Sequence, residues 1–150
     1  MTISEILMND LKEAMKAKDT LRVNTLRMLK SAFTYAATAE GGASGALDDA
    51  ACIQVIRKQI KQRRDSIESF KQAGRLELAE NEQLEIAVLE KFLPIPLSEA
   101  EVTEIVRAAI AETGATSRKD MGAVMKIVNA KAAGRADGKT LSGEVQKQLA

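Results

Sequence analysis

The stretch "LPIPLSEAE", residues 93–101, decides how the chain is divided, because it contains the only two prolines, Pro94 and Pro96. A residue that precedes proline is pushed towards extended backbone, so no helix is expected to run through this stretch. Ser98 and Glu101 follow at the spacing of a capping box, in which a serine hydroxyl and a glutamate carboxylate close a helix N-terminus. A new helix is therefore expected to begin directly after the second proline.

Apolar residues recur at helical spacing on both sides of this boundary. No segment shows the sustained alternation of a β-strand, and the 150 residues include only three Phe and one Tyr, with no Trp. A core made of Leu, Ile, Val, Met and Ala favours helices packed against helices. We predict an all-α protein with an N-terminal four-helix part, residues 1–94, and a C-terminal three-helix module, residues 97–150.

Caps and glycines separate the predicted helices. Thr2 and Glu5 form a capping-box pattern at the start of the first helix, and Asp48 or Asp49 is expected to cap the third. The Gly-rich "AEGGASGAL", residues 39–47, is predicted to be a flexible connector.

The apolar spacing also predicts which residues of each helix face the core. The inner faces of the first four helices are expected to carry Ile3, Leu7, Leu11 and Ala14, then Leu26, Leu29 and Phe33, then Ile53, Ile56, Ile60, Ile67 and Phe70, then Ala79, Ile86, Leu89 and Leu93. Those of the module are expected to carry Val102, Ile105, Val106, Ala109 and Ile110, then Met121, Val124, Met125 and Val128, then Leu141, Val145 and Leu149.

The single cysteine and the absence of histidine exclude several kinds of chemistry. Cys52 has no partner for an intrachain disulfide, and a chain without His lacks the commonest general base and metal ligand. We therefore expect no metal site, no cofactor and no catalytic residue. No apolar run reaches the roughly 20 residues that a membrane span requires, and the N-terminal "MTISEILMND" carries acidic residues, unlike a targeting segment. These features predict a cytoplasmic protein without membrane contact.

The charges are clustered, although the net charge is only +1. Residues 12–30 hold six Lys and Arg against two acids, residues 57–64 hold five and no acid, residues 77–90 hold five Glu and no base, and residues 118–147 hold seven bases against three acids. The glutamates of the fourth helix could lie beside the bases of the third as solvated faces with modest mutual attraction. Those bases are Arg57, Lys58, Lys61, Arg63 and Arg64. The alternative interpretation of this pair of runs is a nucleic-acid surface.

The stretch "GRADGKT", Gly134–Thr140, is similar to the phosphate-binding loop of nucleotide hydrolases but does not match it. That loop places four residues between its first Gly and the Gly-Lys pair, and only three intervene here. It also follows a buried β-strand, whereas the residues before Gly134 have helical spacing. We predict instead that Gly134 ends one helix and that Asp137 caps the last one, with Gly138 and Lys139 in its first turn.

Five basic residues of the module are not needed for packing in this arrangement. They lie near helix termini or on polar faces with few acids to neutralise them, and they are Lys119, Lys126, Lys131, Arg135 and Lys139. N–H groups at the start of the last helix would add to this positive charge. Together they predict a site for the phosphate backbone of a nucleic acid.

Four long motifs resemble the GatB/YqeY family. They are "LRMLKSA" at residues 26–32, "IKQRRDSIESFKQAGR" at 60–75, "LEKFLPIPLSEAE" at 89–101 and "KDMGAVMKIVNAKAAGRADGKTLSGEVQKQL" at 119–149. The C-terminal half is similar to the tail domain of the B subunit of the tRNA-dependent amidotransferase, which converts Glu or Asp on a mischarged tRNA to the amide. The resemblance implies an all-helical, two-part fold, contact with tRNA, and partners among translation or amidotransferase-related proteins.

The resemblance also bears on single residues. The matched motif positions are Lys119, Asp120, Met121, Gly122, Gly134, Arg135, Ala136, Asp137, Gly138 and Lys139, of which Gly122, Gly134, Asp137 and Gly138 are expected to be structural. Where family members commonly have Gly and Pro, this chain has Lys126 and Ala130, so the sixth helix is expected to run on towards Ala133. The kinase and amidase centres of the amidotransferase lie in other domains or subunits, so the resemblance implies no catalytic activity here.

These observations favour a non-catalytic tRNA-binding accessory protein, in which Lys and Arg contact phosphates and the shape of the RNA supplies most of the selectivity. The alternative is a helical adaptor that binds a protein partner and no nucleic acid, its basic residues merely solvated. Salt-sensitive RNA binding that depends on Lys131, Arg135 and Lys139 would separate the two.

Overall fold

Seven α-helices and one 3-10 turn make up the regular structure of the residues that the computed structural model describes, 1–39 and 47–150. These two ranges contain no strand, so the predicted all-α class is confirmed. The elements are α1 (Ile3–Lys16), α2 (Thr20–Ala39), α3 (Asp49–Gln72), α4 (Leu76–Glu90), α5 (Glu99–Thr113), the 3-10 turn Arg118–Asp120, α6 (Met121–Ala132) and α7 (Gly138–Leu149). The connector predicted at residues 39–47 lies, apart from its two end residues, outside the described residues.

The described residues divide into two compact units, Met1–Leu93 and Pro94–Ala150. The first unit contains α1 to α4, and the second contains α5, the 3-10 turn, α6 and α7. Across the described ranges, no helix combines the length and the apolar character that crossing a membrane would require.

Side-chain caps fix the starts of the helices in the first unit. The Thr2 hydroxyl accepts from the Glu5 amide, and the Glu5 carboxylate accepts from the Thr2 amide at 2.9 Å, which completes the predicted capping box. Asp48 caps α3 by accepting from the Ala51 amide at 2.8 Å. Each cap satisfies an amide that the helix itself leaves without a partner, and it is worth about 1 kcal/mol.

The core of the first unit lies where the helical spacing predicts it. Its largest fully buried side chains come from all four helices and are Leu7, Leu26, Leu29, Ile56, Ile86 and Leu89. Ile53, Phe70 and Leu93 are only partly buried at its margin. The buried faces of α1, α2, α3 and α4 thus form one aliphatic core.

An ion cluster interrupts this aliphatic core. The sequence predicts that Arg63 on α3 belongs to a solvated basic face. Arg63 is instead buried, with 8% of its surface exposed. Its guanidinium donates to Glu82 at 3.0 Å and to Glu85, both on α4, and its second nitrogen lies 3.7 Å from the sulfur of Met28 on α2. Arg63 is buried because it follows Ile60 by three positions on the inner stripe of α3. It therefore links three helices.

Glu85 makes the stability of the first unit depend on pH. Burial raises the pKa of its carboxyl above the ordinary value, against the opposing pull of the Arg63 guanidinium. The folded state then holds the proton more tightly than the unfolded state does, so the stabilisation from the protonated carboxyl is lost as the pH rises. In denaturant titrations, we expect the unfolding free energy of the native chain to fall relative to that of Glu85→Gln as the pH rises from about 4 towards neutral. A difference that stays constant or grows with pH would contradict this assignment.

Caps and a left-handed glycine also delimit the helices of the second unit. The Ser98 hydroxyl accepts from the Glu101 amide at 3.2 Å at the start of α5, and Gly114 ends that helix with φ of +70°. Ser117 caps the 3-10 turn rather than α6, which begins at Met121. The core side chains come from α5, α6 and α7 and include Val106, Val124, Val128, Leu141 and Val145.

Candidate nucleic-acid interface

The five basic residues predicted to contact phosphates all belong to the second unit. Lys119 lies in the 3-10 turn, Lys126 lies in the middle of α6, and Lys131 lies in its last turn. Arg135 lies in the connection between α6 and α7, and Lys139 lies in the first turn of α7. The structure gives them three different environments.

Arg135 forms hydrogen bonds with the first residues of the second unit. Its Nε donates to the Ile95 carbonyl at 2.8 Å, and one of its terminal nitrogens lies 3.4 Å from the Glu101 carboxylate. Its own carbonyl accepts from the Leu97 amide at 2.9 Å. Arg135 therefore ties the extended segment around Pro96 to the α6–α7 connection, a role that sequence reasoning missed.

Lys131 takes part in an exposed ion pair. Its Nζ lies 3.4 Å from a Glu112 carboxylate oxygen, and the two side chains are about half exposed. Pairs of this kind contribute about 0–1 kcal/mol, because water screens both charges. Lys131 can therefore exchange Glu112 for another anion with little loss of stability.

Three of the five residues keep an uncompensated charge. The side chains of Lys119, Lys126 and Lys139 are exposed, and none of them takes part in an ion pair within residues 1–39 and 47–150. They are the lysines of the predicted site whose full charge faces solvent.

The α6–α7 connection differs in detail from the prediction. Helix α6 ends at Ala132, one residue short of the expected Ala133, and Ala133 rather than Gly134 is its C-cap, with φ of +49°. Gly134 follows with φ of +79°, so two consecutive residues adopt the left-handed conformation. Asp137 caps α7 as predicted, accepting from the Thr140 amide at 2.7 Å.

Gly122 and Gly138 lie in the first turns of α6 and α7. A Cβ added to either would meet no heavy atom within 4 Å, and neither residue has a positive φ. Packing inside the chain therefore does not require a glycine at these positions. Both glycines leave the backbone of a helix N-terminus open to a close approach.

The one cysteine of the chain is buried in the first unit. Burial raises the pKa of the Cys52 thiol, which lies 3.7 Å from the Ser4 hydroxyl, so the reactive thiolate is disfavoured. No cluster of three or more His, Cys, Asp or Glu side chains that could hold a metal ion occurs in the described part of the chain.

The sequence profile of the Yqey-like protein family matches residues 4–149. The chain belongs to this family. Membership confirms the resemblance to the GatB/YqeY family that the four motifs carry. The profile spans both units, so the YqeY-like assignment covers α1 to α7.

Several fungal relatives of this YqeY-like chain have the name "Altered inheritance of mitochondria protein 41, mitochondrial". The protein from Pyrenophora tritici-repentis is 34% identical over 94% of this chain and 77% of its own length. The protein from Kluyveromyces lactis is 33% identical over 93% of this chain and 72% of its own length. The protein from Lachancea thermotolerans is 39% identical over 71% of this chain and 57% of its own length.

These names overturn one prediction for the YqeY-like chain. The relatives are named as mitochondrial proteins, so the cytoplasmic location predicted from the sequence is wrong. That prediction used the acidic residues near Met1 as a sign of location. Most of this stretch belongs to α1, where Ile3 and Leu7 pack into the core, so its composition reflects the fold.

Proposed function

We propose that this YqeY-like protein is a non-catalytic helical module whose second unit binds structured tRNA through its phosphates. The observation that carries the proposal is the set of three exposed lysines that form no ion pair with residues 1–39 or 47–150, namely Lys119, Lys126 and Lys139. A phosphate that replaces counterions around such side chains gains affinity without first breaking a bond inside the protein. Lys131 adds a fourth contact if it exchanges Glu112 for the ligand.

The glycines of α6 and α7 support contact with the backbone of the ligand. Gly122 and Gly138 expose the first turns of two helices, and a helix N-terminus carries partial positive charge on its free N–H groups. A ligand could approach the backbone at Gly122 and Gly138 more closely than at a residue that has a Cβ. Contacts of this kind position a nucleic acid but do not distinguish its sequence.

The composition of the second unit favours folded RNA over single strands. Residues 94–150 include no Phe, Tyr or Trp, so no aromatic ring is available in this unit to stack on an unpaired base. Proteins that hold single strands depend on such stacking, whereas helical RNA is recognised through its phosphates, its 2′-hydroxyls and its shape. A tRNA offers these features in a compact form.

The test is binding of the full chain to total tRNA, including mitochondrial tRNA, at several salt concentrations. We expect the native protein to bind, and the Lys119→Ala, Lys126→Ala, Lys139→Ala variant to bind more weakly. Its slope of log affinity against log salt should be shallower by about 3, since each lost phosphate contact removes about one unit. Fluorescence anisotropy of labelled tRNA measures both quantities.

Two control variants separate specific contacts from general charge. Replacing the same three lysines by Arg keeps the charge and should preserve both affinity and salt slope. Arg107→Ala removes a cation of the same unit that is already paired with Glu104, so it should leave binding unchanged. Binding that is absent even at about 50 mM salt, or that the triple alanine variant retains, would refute the proposal.

The second candidate function is a helical adaptor that binds a protein and no RNA. The observation that favours it is an open groove of about 950 Å³ between α1 and α2 in the first unit. An adaptor would show no salt-sensitive tRNA binding, and its activity would depend on residues of this groove rather than on Lys119, Lys126 or Lys139.

A further inference from the structure

The groove between α1 and α2 combines an apolar floor with basic edges. The floor comes from α1, where Met8, Leu11 and Met15 recur at i, i+3 and i+7 and so form one stripe along the helix. Leu11 is buried, Met8 is partly buried and Met15 is 51% exposed. Methionine side chains adapt to the shape of an apolar partner, and exposed ones are common on surfaces that bind helices.

The opposite wall of the groove comes from α2. Its lining residues begin at Arg27 and end at Thr38, a rise of about 16 Å along the helix axis. This length matches about three turns of a second helix lying in the groove. Tyr35, which is 78% exposed, stands on the same wall and offers a large surface with two apolar ring faces.

The charged side chains described in the groove are all basic. Among residues 1–39 and 47–150, its lining includes Lys12, Arg27 and Lys30 and no acidic residue. All three cations are exposed, and none forms an ion pair with another residue that the structure describes. An occupant with carboxylates at its edges would meet three unpaired positive charges, whereas a basic occupant would be repelled.

The apolar floor distinguishes this groove from a nucleic-acid site. A phosphate backbone gains nothing from this apolar stripe, and Met8 and Met15 would stay in contact with water beneath it. An amphipathic helix buries such a stripe with its apolar face and keeps its polar face at the edges. The observations therefore favour a helix with acidic residues on its polar face.

We propose that the α1–α2 groove of the first unit binds an amphipathic helix with an acidic polar face, presented by a partner protein. Leucine or methionine side chains of the partner would lie on the stripe of Met8, Leu11 and Met15. Its glutamates or aspartates would face Lys12 on one side and Arg27 and Lys30 on the other. This site is separate from the lysines of the second unit and does not depend on RNA binding.

The test uses the full chain and two synthetic peptides of about 16 residues, long enough to form more than four helical turns. Both have leucines at i, i+3, i+4 and i+7, and the remaining surface carries Glu in one peptide and Lys in the other. Fluorescence anisotropy should show saturable binding of the Glu peptide and none of the Lys peptide at the same concentration.

A charge-reversed variant makes the test independent of folding defects. Lys12→Glu with Lys30→Glu changes two exposed side chains, so the fold is expected to persist. We expect it to weaken binding of the Glu peptide at least tenfold and to create binding of the Lys peptide. The Met15→Ser variant should weaken the Glu peptide as well, because the apolar floor loses a contact.

Other results would overturn the proposal. These are equal binding of both peptides, binding of neither, or no effect of the charge reversal. A single-stranded RNA of 16 nucleotides that displaces the Glu peptide and requires Lys12 and Lys30 would assign the groove to nucleic acid instead. The variant that lacks Lys119, Lys126 and Lys139 should bind the Glu peptide normally, so failure of tRNA binding and failure of this proposal are distinguishable.

Discussion

Replacing Arg63 by Ala is expected to lower the unfolding free energy of the first unit by about 3 kcal/mol. The change removes the cation between Glu82 and Glu85, whose side chains are only 22% and 14% exposed. Two partly buried carboxylates would then face each other without a positive charge, and a cavity would open beside Ile60 and Ile67. Denaturant unfolding of the full chain, with hydrogen exchange of residues 1–93, measures the loss.

The neighbouring arginine is the matched control. Arg64 is 64% exposed and lies 3.8 Å from Glu90, so Arg64→Ala should cost less than about 1 kcal/mol. Replacing the whole cluster, with Arg63→Met, Glu82→Leu and Glu85→Leu, should restore most of the stability, because no unpaired charge then remains. An Arg63→Ala protein as stable as Arg64→Ala would show that the ion cluster does not hold α3 to α4.

The second unit should respond strongly to Leu141→Ala. Leu141 is 2% exposed and is the largest fully buried side chain of this unit, whose other core residues are mostly Val and Ala. Truncating a buried leucine removes about 2–5 kcal/mol, and a unit this small has about 3–5 kcal/mol to lose. We expect amides of residues 94–150 to lose most of their protection in hydrogen exchange, while Met1–Leu93 stays protected.

Ile95→Ala is the control for this substitution. Ile95 belongs to the same unit and has a side chain of similar size, but it is 79% exposed. Its carbonyl can still accept from Arg135 after the change, because the backbone is retained. Protection that survives Leu141→Ala, or that is lost equally with Ile95→Ala, would contradict the core that we describe.

Local sequence signals predict most of the helix starts and the core. Thr2, Ser98 and Asp137 each cap a helix as predicted, because a cap depends only on residues three positions apart. For α3 the sequence left Asp48 and Asp49 open, and the cap is Asp48. The apolar stripes behave in the same way, since the helical period alone places them on one face.

Long-range partners are what the sequence does not reveal. The glutamates that neutralise Arg63 lie 19 and 22 positions away, and the carbonyl that Arg135 binds lies 40 positions away. The stripe of α3 does contain a signal, because Arg63 occupies the inward position between Ile60 and Ile67. Reading that stripe as continuous would have predicted a buried arginine with acidic partners.

The sequence predicts only part of the two candidate sites. The basic residues of the second unit stand out by composition. Charge alone does not show that Lys131 and Arg135 form ion pairs, whereas Lys119, Lys126 and Lys139 form none with the residues that the structure describes. The groove requires the pairing of α1 with α2, because its floor and its opposite wall come from different helices. No motif within one helix indicates such a surface.

The position of Tyr35 gives the protein a built-in optical reporter. The chain has one tyrosine and no tryptophan, so its intrinsic emission comes almost entirely from a single ring, and that ring lines the α1–α2 groove. A peptide without aromatic residues that enters the groove should change the intensity or polarisation of this emission without any attached dye. Residues 94–150 contain no Tyr or Trp, so this emission reports on a ring of the first unit.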